Sequence, residues 1–279
     1  MPGQSAEQTL IKADELRTRL GEVVLLDCRF NLANPGAGAR AYADGHIPTA
    51  HYLHLERDLS GPVDIHGGRH PLPPAADFAA RMARLGIDRN TPVVAYDDNG
   101  FAFAARLWWM LRALDYRDVR ILDGGLSAWL AAGGGLDTGV PSATAVTAPV
   151  VGDYRGKLDM PAVRRARDAG AQLLDSRDAP RYQGLEEPID PVAGHIPGAL
   201  NLPWQDASDA QGLALAPEAQ RQRLAILPAD RELVVYCGSG VTACVNLLAL
   251  ELAGHRGAQL YPGSWSDWCS YEENLEELG

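Results

Sequence analysis

The stretch ELVVYCGSGVTACVNLL, Glu232 to Leu248, joins an apolar run to a helical pattern through a cysteine and two glycines. Leu233 to Tyr236 have the composition of a short buried strand, and from Thr242 onward the apolar residues fall in a helical pattern. A strand, a tight loop and a helix in direct succession form one β-α unit, and such units assemble into parallel sheets. Similar runs lie on both sides of it: EVVLLD, TPVVAYD and VRILDGG early in the chain, AQLLDS and AQLYPGS late. Helical stretches such as FAARLWWMLRAL and TACVNLLALEL alternate with them. The expected fold is α/β, built on mostly parallel sheets with helices on both faces. Loops at the carboxyl ends of such strands are where a site is expected, and Cys237 falls there.

The chain also repeats itself. LLDCRF at Leu25 to Phe30 returns as LLDSRD at Leu173 to Asp178, and GHIPTA at Gly45 to Ala50 returns as GHIPGA at Gly194 to Ala199. The strand and loop VVAYDDNG, Val93 to Gly100, match VVYCGSG, Val234 to Gly240, and DGGLSAW ending at Trp129 matches PGSWSDW ending at Trp268. A period near half of the 279 residues is a domain duplication, because solenoid units run about twenty to fifty residues. The stretch from Leu136 to Gly156 is rich in Thr, Ala, Pro and Gly and lacks helical periodicity. The expected organisation is an N-terminal domain over residues 1–140, a linker over 141–157 and a C-terminal domain over 158–279. In the first domain the place of Cys237 is taken by Asp97.

Composition narrows the function classes. A formal net charge of -11 and a pI near 5.0 argue against a non-specific grip on nucleic acid or an anionic membrane. The first residues lack the basic start and apolar core of a secretory signal, and no segment has the length of a membrane span. The four cysteines, Cys28, Cys237, Cys244 and Cys269, form no C-x-x-C pair and no secreted disulfide spacing. They argue for a reducing, cytoplasmic setting and against structural zinc.

Between strand and helix, Gly238 and Gly240 permit backbone angles that a side chain resists. The loop's N–H groups then form a concavity at a helix start, which favours a thiolate or a sulfur anion bonded to it. Ser239 and Thr242 add hydroxyl donors without charge. Several readings meet at this loop. A buried structural cysteine is one. GSGVTA also fits the dinucleotide fingerprint, but the acidic residue about twenty positions on is missing. A cysteine phosphatase needs an arginine at position 243, where Ala243 stands. Sulfur transfer needs a thiolate, an amide cradle and an anchor for the donor.

The loop CGSGVTA, the paired GHIP phrases, the DGG-x-x-x-W ending and the duplication resemble the tandem-domain rhodanese family of thiosulfate and 3-mercaptopyruvate sulfurtransferases. The resemblance spans nearly the whole chain. It implies two tandem rhodanese-like domains, the first catalytically silent, and a persulfide carried on Cys237 with no other cofactor and no metal. Sulfur would come from a small-molecule donor and pass to cyanide, a thiol or thioredoxin, with no nucleic acid or membrane partner. The neutral Gly238 and Ser239 are similar to the mercaptopyruvate branch, with thiosulfate as the alternative donor. That branch implies proton management by Ser239, His70 and Glu56, and donor contacts from Arg181, Gly238, Gly240, Val241 and Thr242. A second arginine expected before GHIP is absent, since that segment reads LEEPIDPVA. Arg69, beside His70, is expected as an exposed arginine, with an approach to the cleft in place of that second arginine as the other reading. A non-catalytic rhodanese-like binding module is the alternative of another class, although such modules commonly lose the cysteine.

The remaining features read as structural. Trp108 and Trp109 lie among apolar neighbours in one helix and are expected in the core. Cys28, Cys244 and Cys269 have packing contexts. Asp27 with Asp175, and His46 with His195, recur in both domains, so their shared role is expected to be structural.

Overall fold

The computed structural model describes residues 9–276, which fold as two units. The first takes the chain up to Gly61, then Pro73–Arg155 and Ser208–Ala214. The second takes Pro62–Leu72, Gly156–Ala207 and the chain from Leu215 onward. Two short loops thus depart from their own repeat. Pro62–Leu72 is grouped with the second unit, and Ser208–Ala214, in the matching place of the later repeat, with the first.

The first unit holds a five-stranded sheet of β1 (Leu10–Ile11), β2 (Val24–Asp27), β3 (His51–Tyr52), β4 (Val93–Tyr96) and β5 (Val119–Leu122), ordered β1-β5-β4-β2-β3. Every pairing is parallel. The second unit has β6 (Gln172–Asp175), β7 (Leu200–Asn201), β8 (Leu233–Tyr236) and β9 (Gln259–Leu260), ordered β7-β6-β8-β9 and again parallel. The repeats superpose strand by strand in topology: Leu26 pairs with Ala95 as Leu174 pairs with Val235. Where the first unit has β1 beside β5, the second has only a parallel bridge from Lys157 to Leu260.

All four residues of β4 and of β8 are buried, so both faces of these central strands are covered. That is why their sequences are continuous apolar runs and do not alternate. Helices Ala104–Ala113 and Ala243–Leu252 follow β4 and β8 and are almost wholly buried. Trp108 and Trp109 are core residues as expected, and Trp109 stacks on Tyr154 at 6.0 Å. Trp129, Trp265 and Trp268, from the repeated phrases, are buried in the two cores.

The repeated LLD and GHIP phrases form one device in each unit. Asp27 accepts a salt bridge from Arg29 Nη2 at 2.7 Å, and the same nitrogen donates to the Gly45 carbonyl at 2.8 Å. Tyr96 donates its hydroxyl proton to Asp27 at 2.7 Å and accepts the Ile47 N–H. In the second unit Arg177 bridges Asp175 and the Gly194 carbonyl, both at 2.6 Å, and Tyr236 accepts the Ile196 N–H. His46 and His195 stack on Tyr42 and Tyr182, each with Nδ1 2.8 Å from its tyrosine's carbonyl oxygen. The structural reading of Asp27, Asp175, His46 and His195 agrees with these contacts, while Arg29 and Arg177 complete a role the repeat alone left unassigned.

Candidate functional site

Asp97 and Cys237 both follow the last residue of a central strand, and what surrounds them differs in one respect. The Asp97 carboxylate accepts four backbone N–H groups of its own loop: Asn99, Phe103 and Ala104 at 2.9 Å, and Phe101 at 3.2 Å. The first domain thereby fills its amide cradle with its own side chain. Asp97 is fully enclosed, and burial raises its pKa against the opposing pull of those donors. In the second unit Cys237 is 2% exposed, and its side chain carries no acceptor that could reach back in this way. The N–H groups of Ser239 and Val241, counterparts of the Asn99 and Phe101 donors, have no acceptor among the described residues. They remain as hydrogen-bond donors for an anion at the cysteine sulfur.

The loop is held from outside. Cys237 donates its N–H to Ser264 Oγ at 3.1 Å, and its carbonyl accepts from Trp265 at 3.0 Å. The Gly238 carbonyl accepts from Ser266 at 2.9 Å. Gly240 has φ +72°, and a Cβ there would lie 2.2 Å from the Pro262 carbonyl oxygen, so glycine is required twice over. Val241 is buried, and Thr242 stands at the N-cap position of the helix Ala243–Leu252 without a side-chain capping bond, so the helix N-terminus follows directly on the loop.

The segment Pro62–Leu72 supplies the other partner. His70 is buried, and its Nδ1 lies 2.8 Å from Ser239 Oγ. This segment is pinned to the stretch after β9. Gly67 donates to Asp267 at 2.7 Å, Arg69 donates its N–H to Ser266 Oγ at 3.1 Å, and His66 Nδ1 is 2.7 Å from Ser270 Oγ.

Arg181, at the end of helix Ala179–Tyr182, donates to Glu187 at 2.7 Å and to Asp190 at 3.1 Å. Arg69 follows the second of its two readings and not the exposed one. Its side chain is one third exposed, and Nη1 is paired with Asp190, whose side chain is 2% exposed. Burial lowers the Arg69 pKa, and the Cys237 sulfur is the largest influence opposing that drop. A Cβ on Gly238 would stand 3.0 Å from Arg69 Nη2 and 3.5 Å from both terminal nitrogens of Arg181. Glycine after Cys237 therefore gives two guanidinium groups room to approach.

Residues 12–132 and 161–271 each match the rhodanese-like domain. The chain is 48% identical over 276 residues to a protein named as a 3-mercaptopyruvate sulfurtransferase in Pseudomonas aeruginosa, covering 94% of this chain and 95% of that one. The chain belongs to the rhodanese-like family. A second relative of this rhodanese pair, SseB of Mycobacterium tuberculosis, is 42% identical over 96% of both chains and is named as a thiosulfate sulfurtransferase. The solved structure of 3-mercaptopyruvate sulfurtransferase from Leishmania major superposes with a TM-score of 0.86 at 30% identity, covering all of this chain and 80% of that one.

Within the second unit, Cys237, Gly238, Ser239, Gly240, Val241, Thr242, His70 and Arg181 come together as a single neighbourhood. Glu56 lies in the first unit on the short helix Leu55–Asp58, exposed, and its backbone N–H donates to His54 Nδ1 at 3.2 Å. Glu187, Asp190, Ser264 and Ser266 escaped the sequence reading, and Arg69 entered it only as the second of two readings. Polar residues in loops carry no periodicity, so only the fold brings them together. The three other cysteines are buried free thiols: burial holds the Cys28 thiol well above its usual range and pushes Cys269 up to about 12. Among the described residues no cluster of His, Cys, Asp or Glu has metal-binding form, and no helix is long and apolar enough to cross a membrane.

Proposed function

We propose that the protein is a sulfurtransferase that takes sulfur from 3-mercaptopyruvate as a persulfide on Cys237 and hands it to a thiol or cyanide. The observation that carries the reading is the 2.8 Å contact between Ser239 Oγ and His70 Nδ1 two residues from the nucleophile. The Cys237 thiolate attacks the donor sulfur, forming the S–S bond as the carbon–sulfur bond breaks. The electron pair of that bond leaves on the three-carbon fragment as the enolate of pyruvate, which must gain a proton. Ser239, hydrogen-bonded to His70, is the group beside Cys237 able to relay one. The outer sulfur, held by the loop's N–H donors, is then attacked by the acceptor thiolate or cyanide. Cys237 leaves as a thiolate, ready for another cycle.

The acceptor is a small thiol, cyanide or a reduced dithiol protein such as thioredoxin. The setting that keeps all four cysteines as free thiols is a reducing one, the cytoplasm. Thiosulfate is the second reading. It is favoured by the two guanidinium groups near Gly238, which bring positive charge to a loop that has none of its own.

Rates measured side by side with both donors test the choice. Ser239→Ala should slow transfer from mercaptopyruvate by about 100-fold, a typical worth for positioned proton transfer, and change thiosulfate turnover far less. Faster wild-type turnover of thiosulfate, with Ser239→Ala indifferent to donor, overturns the mercaptopyruvate assignment.

A further inference from the structure

We infer that Arg69 acts with Arg181 as a two-guanidinium clamp for the carboxylate of an α-keto donor, and that Asp190 is the buried positioning residue that sets the spacing of the two heads. The proposal rests on the α-keto acid reading of the site.

Four observations carry it. Asp190 uses both oxygens, Oδ1 accepting from Arg69 Nη1 and Oδ2 from Arg181 Nη2 at 3.1 Å, so one buried carboxylate yokes two arginines. Their remaining terminal nitrogens, Arg69 Nη2 and Arg181 Nη1, have no acceptor among the described residues. These same two atoms lie 3.0 and 3.5 Å from the point where a Cβ on Gly238 would stand, next to Cys237. Finally, Arg69 is fixed by its backbone: its N–H donates to Ser266, and Gly68, with φ +78°, passes so near the Gly263 carbonyl that a Cβ would lie 2.4 Å from it.

Charge explains why the arrangement can stay assembled without a ligand. Arg69, Arg177 and Arg181 face Asp175, Glu187 and Asp190, three cations against three anions, with Glu187 accepting from both Arg177 and Arg181. Buried ion pairs of this kind are costly unless their donors are satisfied, and the two free N–H groups leave a place for one more anion. A carboxylate bound there lies beside the sulfur carrier, which is the position an α-keto acid with its sulfur two carbons from the carboxylate requires. The segment between Arg181 and GHIP contributes the acids Glu187 and Asp190, while the second guanidinium enters from Pro62–Leu72.

The test measures kcat and KM of the full chain with mercaptopyruvate, and the inhibition constant of pyruvate against thiosulfate, for wild type, Arg69→Gln, Arg69→Lys and Asp190→Asn. Loss of one charged hydrogen bond from the clamp predicts a rise of about tenfold or more in both mercaptopyruvate KM and pyruvate inhibition constant for Arg69→Gln, with kcat within about threefold. Arg69→Lys should recover thiosulfate turnover but little of the pyruvate affinity, since a point charge cannot share a planar carboxylate. Asp190→Asn should raise KM with kcat retained, a split that general loosening of the loop would not give. The clamp is overturned if Arg69→Gln leaves the pyruvate constant within about twofold, or if Arg69→Lys restores it fully. The pyruvate measurement judges the clamp even where thiosulfate proves the faster donor, so the two readings stand or fall separately.

Discussion

Replacing Asp97 by alanine removes the acceptor of four backbone N–H groups of its own loop. Each buried donor left unpaired costs about 1–3 kcal/mol. Water recovers part of this, because the loop borders a polar hollow lined by Asp98, Asn99, Gly124 and Gln211 among others. The net loss should be about 2–4 kcal/mol, or roughly 5–10 °C in Tm for a unit of this size. The sign of its pH dependence follows from the raised pKa of Asp97. The wild-type carboxyl contributes its stability fully below about pH 4, the unfolded value, and loses it as pH rises through the folded value. The penalty of Asp97→Ala should therefore be largest in mild acid and shrink toward neutral pH. Calorimetry of the full chain across that range reads the loss, and intact-protein mass spectrometry after donor treatment reads the chemistry. The persulfide on Cys237 should still form. A Tm within about 1 °C of wild type would show that the carboxylate does not hold the loop. A folded variant unable to form the persulfide would show that the first domain is not silent.

Cys237→Ser should abolish the single added sulfur seen by mass spectrometry after donor treatment; an adduct that persists would place the carrier on another cysteine. Gly240→Ala forces a Cβ to within 2.2 Å of the Pro262 carbonyl at φ +72°, so the loop must open. Persulfide formation should be lost while circular dichroism stays near wild type, and retention of activity would mean that the loop tolerates another path.

The parallel sheets were legible because β4 and β8 are buried on both faces and so appear as unbroken apolar runs. The duplication was legible because LLD, GHIP and the terminal tryptophan phrases each hold a fixed place in the core. Cys237 could be found from its strand end and its glycines. Arg69 could be offered to the cleft only as the second reading. Its surroundings in sequence, HGGRHP, are those of a surface loop, and its burial depends on Gly68 lying against Gly263 and on Asp190, which is 121 residues away. Asp97 was read as the absence of a nucleophile, whereas its four backbone hydrogen bonds give it a structural function that only the folded loop reveals.

The two units share a scaffold and differ in what occupies the cradle. In both, an Asp–Arg–Tyr set ties the end of one strand to the GHIP turn, so the loop after the central strand begins from the same fixed point. From there the first unit closes its donors on Asp97, and the second leaves Ser239 and Val241 N–H groups for an anion beside Cys237. Two further neighbours of the Cys237 loop come from a stretch that precedes the second repeat in sequence: Pro62–Leu72 carries His70 to Ser239 and Arg69 to Gly238, while Ser208–Ala214 is grouped with the Asp97 unit. The second repeat alone, without residues 62–72, contains Cys237 and its loop donors but neither the partner of Ser239 nor the Arg69 guanidinium.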